Sequence, residues 1–231
     1  DFRVAVKEED EGFSENMAIL TKIHFEGATL KHCNFEDGKI HNCDFEDSNL
    51  AHCNFKNSTL INCDFTNADL TGVNLLGAKL INCNFENATI KDVGLSTTAV
   101  DEKTDFGKPL KSEKEKNYNA AAIEYKQIKE MYKSSSLHGQ ADEYHYREMV
   151  CKRKKIDWKN PGRFFNYLFG DLLCKYGISF GRVLMWSAAI ILLTAFLHTI
   201  HESLIYHNKP VDATLGDALY FSIVSFTTLG Y

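Results

Sequence analysis

The sequence predicts a repeat solenoid followed by helices, one of which crosses a membrane. Three observations predict this. An apolar residue returns every five positions through the first hundred residues. The stretch Val183–His201 carries no Asp, Glu, Lys or Arg. A short apolar segment further on ends in Thr228, Leu229, Gly230 and Tyr231.

The apolar register runs without a slip from Leu20 through Phe25, Leu30, Phe35, Ile40 and Phe45 to Leu95. Two positions before each stands something small or modest, such as Cys33, Gly38, Cys43, Ser48 and Cys53. The residue between them is often Asn or Asp. A period of five is neither the helical 3.6 nor the strand period of two. Within each unit, positions two apart share an apolar or small character, which makes a short extended piece. The polar, turn-prone remainder makes a bend after it. The pattern resembles the pentapeptide-repeat family. That resemblance implies a right-handed quadrilateral β-helix over residues 18–97, with four repeats per coil. Residues twenty apart then stack. Phe25, Phe45, Phe65 and Phe85 make one inward column, and Phe35, Phe55, Leu75 and Leu95 the opposite one. Each buried Phe contributes about 1.5–3 kcal/mol. Residues 1–17 are expected to lead in or cap, because an open coil edge needs cover.

Cysteine and histidine admit a sharper reading. His32, His41 and His52 lie beside Cys33, Cys43 and Cys53. Nitrogen and sulfur ligands suit zinc. These cysteines, however, occupy the inward small-residue position and lack the tight pairing of zinc sites, so interior filling is the expectation. The seven cysteines show no disulfide-module spacing, which fits a reducing compartment. No metal beyond permeant potassium and no cofactor is expected. A net charge of −5 and a pI near 6.0 give no sign of a nucleic-acid-binding surface. Some pentapeptide-repeat proteins mimic DNA and inhibit topoisomerases. Lysines spread along the repeats (Lys22, Lys31, Lys39, Lys56, Lys79, Lys91) count against that reading here.

Residues 98–116 are polar and charged and read as a linker. Ala121, Tyr125, Ile128 and Tyr132 recur at helical spacing, and a second helical stretch follows Ser134-Ser135-Ser136. Residues 117–156 thus read as a helical hairpin, loosely like one tetratricopeptide repeat, with Gly139 as an end-cap device.

Positive charge then gathers, with nine Lys or Arg against three acids from Arg147 to Arg182. Residues 157–180 hold Phe164, Phe165, Leu168, Leu172 and Leu173, interrupted by polar residues, and read as an interfacial helix. Residues 181–201 read as a transmembrane helix, since nineteen uncharged residues span about 28 Å. The basic flank lies before the span, and only Lys209 follows it, so the repeat region is expected in the cytoplasm of a cell with the span in its plasma membrane. The first residues show no signal peptide.

Residues 202–231 read as an outer loop, a helix too short to span, and an irregular end. Irregular backbone at membrane depth is tolerated only where protein buries it or it lines water. This order resembles the pore loop of potassium channels, with Leu229 standing where Val or Ile is commoner. The resemblance implies that Thr228, Leu229, Gly230 and Tyr231 bind the ion through backbone carbonyls and the Thr228 hydroxyl. Tyr220, Phe221, Phe226 and Thr227 would support the filter around them. Starting at Asp1 and stopping at the motif, the chain reads as a fragment whose second span would follow.

The expectation is therefore a non-enzymatic, potassium-selective channel subunit, a homotetramer in a lipid bilayer. An unidentified ligand or protein engages its solenoid, and the solenoid biases the pore. The alternative is a membrane-anchored interaction protein whose solenoid binds a partner. A soluble DNA-mimicking topoisomerase inhibitor is third.

Overall fold

The computed structural model describes residues 19–201, 205–206, 209–210 and 214–227. The expected lead-in or cap over 1–17 lies outside them. The chain forms two compact units, Asp1–Arg163 and Phe164–Tyr231.

The first unit opens with the solenoid. Strands β1 (Ile19–Thr21), β2 (Lys39–His41), β3 (Thr59–Ile61), β4 (Lys79–Ile81) and β5 (Ala99–Val100) form one parallel sheet in sequence order. Each pairs with the next in steps of twenty residues, Leu20 with Ile40 and Leu60 with Leu80. The other faces are single bridges at the same step, such as Asn34 to Asn54 to Asn74. Phe45 stacks on Phe25 at 5.0 Å and on Phe65 at 4.9 Å between ring centroids, and Phe35 stacks on Phe55 at 4.7 Å. The two columns meet edge to face, Phe45 against Phe55 at 6.5 Å, so they fill one core.

The corners explain the polar letters of the repeat. His32, Asn42, His52, Asn62, Asn82 and Asp92 all hold positive φ. Asn and Asp tolerate that region better than most residues. At Gly72 (φ +66°) a Cβ would stand 2.5 Å from His52 Nδ1, so a side chain there would displace the His52 ring, although His32, His52 and Asp92 hold positive φ at the same corner.

The solenoid does not stop at residue 97. Asn84 bridges Asp105, and Phe106 stacks on Phe85 at 4.5 Å. The expected linker over 98–116 is thus corrected: its first part is a further, incomplete coil, and α1 (Lys111–Lys114) follows. The step here is twenty-one residues, one longer than elsewhere, which hides the turn from a reading in fives.

Two packed helices follow, α2 (Tyr118–Ser134) and α3 (His138–Lys155). Asn117 caps α2 by accepting from the Ala120 N–H. Ser136, at φ +62°, makes the reversal between them, while Gly139 lies inside α3 and is not the cap. The helices close the solenoid with aromatic rings. Tyr132 meets Phe106 edge-on at 6.4 Å, and Tyr144 stacks on Tyr132 at 5.2 Å. Their hydroxyls serve the last turn's backbone. Tyr132 donates to Thr104 O at 2.6 Å, and the Leu110 N–H donates to the Tyr125 hydroxyl at 2.9 Å.

Where an interfacial helix is expected over 157–180, the chain is helical over 161–173 and does not stay helical to residue 180. It holds α4 (Pro161–Phe165), a π-helical stretch over Asn166–Leu173 and a single 3₁₀ turn over Lys175–Gly177. Tyr176 (φ 55°) lies against Gly170, where a Cβ would meet its ring at 2.5 Å. Its hydroxyl donates to Asn166 Oδ1 at 2.9 Å. The carbonyls left by the wide winding find donors, Arg182 to Asp171 O and Trp186 Nε1 to Leu172 O, both at 3.2 Å. Helix α5 (Phe180–His201) follows, then the short antiparallel pair β6 (Ile205–Tyr206) and β7 (Lys209–Pro210), and helix α6 (Leu215–Thr227).

Candidate functional site

Helix α5 is long enough to cross a bilayer, and only 6% of its window Phe180–Leu197 is buried. A core helix of a water-soluble protein would be covered. Leu184, Leu192, Leu193 and Phe196 are all more than half exposed.

Helix α6 is too short to cross. Its start is built by Thr214 and Asp217. The Thr214 hydroxyl donates to Asp217 Oδ2 at 2.6 Å, and the Asp217 N–H returns to Thr214 Oγ1 at 3.3 Å. This reciprocal cap fixes where the helix begins. Helices α5 and α6 pack through small residues, with Ala195 and Ala218 buried together. Small side chains allow the two backbones a close approach. Ser222 is buried one turn after Ala218, and its hydroxyl has no partner among the described residues.

Of the expected filter-supporting residues, all four lie on α6. Tyr220, Phe221 and Phe226 are exposed, and Tyr220 meets Phe221 edge-on at 6.3 Å. Thr227 folds its hydroxyl back to Ile223 O at 2.8 Å. Thr228, Leu229, Gly230 and Tyr231 lie outside the described residues. Tyr220, Phe221 and Phe226 therefore share one helix with free apolar surface.

In the repeat region, the cysteines point inward. Cys53 Sγ donates to Leu30 O at 2.8 Å, and burial pushes its thiol up to about 12. A protonated, buried thiol is a poor metal ligand or nucleophile. His32 and His52 stack on each other at 5.2 Å instead of turning toward the sulfurs. No group of three or more His, Cys, Asp or Glu able to hold a metal exists among the described residues.

Charge is not spread evenly on the solenoid. Asp44 bridges Asp64, and Glu46 and Asp47 follow in the same turn. Burial and the neighbours Asp47, Asp64, Asp44 and Glu26 together raise the Glu46 carboxyl above its ordinary range. Lys39 and Lys79 lie on another face, in β2 and β4. Sequence order interleaves these residues, so the acidic face becomes visible only once twenty-residue stacking is known.

Where the helices close the solenoid, two buried acids organise the joint. Glu113 accepts from the Tyr125 hydroxyl at 2.7 Å and from Lys154 at 3.0 Å. Glu148 accepts from Lys129 at 2.9 Å and Lys152 at 2.6 Å. Sequence reasoning missed both, because Glu113 lies in a run of alternating charge and Glu148 just before a basic run, and either setting also suits a solvated helix face.

Residues 18–95 match the family model described as a pentapeptide repeat region, and that stretch of the chain is one. No curated protein matches the chain. Among solved structures, it is similar to HetL, a pentapeptide repeat protein involved in heterocyst differentiation regulation in Nostoc sp. strain PCC 7120. The identity is 22% over 35% of this chain and 37% of HetL, with a TM-score of 0.34. A second pentapeptide repeat protein of Nostoc PCC 7120 is 27% identical over 39% of this chain and 79% of its own, with a TM-score of 0.27. QnrB1, a plasmid-mediated fluoroquinolone resistance protein, is 20% identical over 34% of this chain and 47% of its own, with a TM-score of 0.24. The chain thus spans less than half the length of HetL and of QnrB1.

Proposed function

We propose that this chain is a membrane-anchored, non-catalytic protein whose solenoid and closing helices form a cytosolic binding module. We propose further that its anchor, α5 followed by α6, contributes to a potassium-selective pore. The comparisons favour the binding module over the pore, because the family match lies in the repeats. An acidic face beside lysine-bearing faces gives such a module a directional surface for a charged partner.

The pore part rests on one observation. A helix with bare apolar flanks is followed by a capped thirteen-residue helix packed on it through Ala195 and Ala218. That helix ends at Thr227, immediately before Thr-Leu-Gly-Tyr. A short helix of this kind, with Tyr220, Phe221 and Phe226 uncovered, gains cover when several copies surround an axis, and four copies would place four such ends around an ion. Orientation follows from the basic residues before α5.

Potassium flux into proteoliposomes carrying the protein tests the pore. We expect flux that sodium does not match, and its loss in Gly230→Ala, whose added methyl hinders the backbone angles that aim carbonyls at one axis. Flux that survives Gly230→Ala removes the filter assignment. Absence of flux from the unaltered protein leaves the anchored binding module as the function.

A further inference from the structure

Every coil but the last hands its free edge to the next. The Leu75 N–H donates to Gly94 O at 2.9 Å, and the Gly77 N–H to Ser96 O at 3.4 Å. Twenty residues on, the N–H groups of Leu95 and Thr97 have no acceptor among the described residues. The chain covers only part of this coil before it turns into α1, so these donors stay at an open end.

They form one wall of a groove of about 1120 Å³, and α2 and α3 form the others. That volume slightly exceeds the about 300–1,000 Å³ of small-molecule sites, room enough for a ligand with an apolar body. The α2 wall carries an apolar patch, Ala122, Ile123 and Met131, among the polar Asn119, Gln127 and Ser134, and Ile123 is 63% exposed. Two cations border it. Lys126 on α2 and Lys155 at the end of α3 reach no carboxylate among the described residues. Lys152 beside them is already held by Glu148. The acids of the groove are likewise engaged, Glu148 by Lys129 and Lys152, and Glu130 by Lys129 at 3.2 Å.

Uncommitted backbone donors, two uncommitted ammonium groups and an apolar patch define one kind of guest. We infer that this groove binds a small organic anion with an apolar body, its charged end at Lys126, Lys155 and the Leu95 and Thr97 N–H groups. Such a ligand would tie the last coil to both helices. Unpaired strand edges favour whatever satisfies them, and charge-assisted bonds are the stronger ones. The inference deepens the binding-module reading and does not depend on the pore.

The probe is 1-naphthyl phosphate, titrated calorimetrically into the protein in nanodiscs, with empty nanodiscs and inorganic phosphate as references. We expect saturable heat for the aryl phosphate, and much weaker binding of inorganic phosphate, which lacks the body. Lys126→Glu with Lys155→Glu should weaken binding at least about tenfold, with an unchanged far-ultraviolet circular dichroism spectrum. Lys31→Glu with Lys79→Glu makes the same charge change away from the groove, on the solenoid, and should leave affinity unchanged. No heat above empty nanodiscs at millimolar probe overturns the inference, as does equal weakening by both pairs of substitutions. Heat of binding is independent of ion flux, so failure here leaves the Gly230 test intact, and failure there leaves this one intact.

Discussion

Gly72 shows how single residues hold the solenoid to its step. Its φ of +66° suits glycine, and the His52 ring occupies the space where a Cβ would go. Gly72→Ala should lower stability by about 1–2 kcal/mol, from backbone strain and from displaced imidazole. Adding His52→Ala should recover the steric part and leave the backbone part. Urea unfolding of both variants checks this, and strict additivity would remove the contact from the account. Glu113 acts through charge. Burial raises its carboxyl, but the Tyr125 hydroxyl and the Lys154 ammonium outweigh that and hold it below the ordinary 4.5. A carboxylate depressed in the folded state stabilises the fold above its unfolded value, and that contribution fades as pH falls through the folded value. Melting temperature should therefore drop below about pH 4.5. Glu113→Gln should flatten part of that drop while lowering stability at neutral pH. Glu148 is depressed too, so the flattening is partial.

Between α2 and α3 the decisive contact is an ion pair out of water. The Glu148 side chain is 2% exposed and that of Lys129 11%, whereas that of Lys152 is 53% exposed. Removing one member of a buried pair strands the other. Glu148→Ala should cost about 3–5 kcal/mol, and Lys152→Ala less than about 1 kcal/mol, both read from chemical denaturation. At this scale the limits of the sequence are also plain. The repeat was legible because apolar and small residues recur at a fixed step and nothing else explains a period of five. The last turn was not, because Asp105 and Phe106 stand twenty-one residues from their partners and fall out of register. The helical spacing of Ala121, Tyr125, Ile128 and Tyr132 was legible as a buried face. That Tyr132 would continue an aromatic column with Tyr144 was not, since stacking across elements leaves no periodic trace. Nor was the π-helical stretch, which depends on Tyr176 folding back over Gly170. Of the candidate site, the small-residue contact of α5 with α6 could have been sought from Ala195, Ala218 and Ser222, but two alanines and a serine carry little signal by themselves.

For the whole molecule, the proposed function would join two kinds of recognition in one chain. A rigid stacked core presents fixed faces, and an apolar helix pair presents surface suited to lipid or to further copies. The Gly230→Ala flux experiment decides whether the second part conducts. The twenty-residue step also has a consequence for changes in chain length. Deleting residues 50–69 removes one full turn, leaves Phe45 beneath Phe85, and shortens the rod by about 4.8 Å. Such a variant should express folded, with a circular dichroism spectrum like that of the parent. Deleting only residues 50–54 rotates everything downstream by a quarter turn. Phenylalanines then fall on aliphatic columns, the acidic strip breaks, and α1 to α3 leave the rod from a different side. In this architecture, length gained or lost by twenties only changes reach, while length gained or lost by fives changes heading.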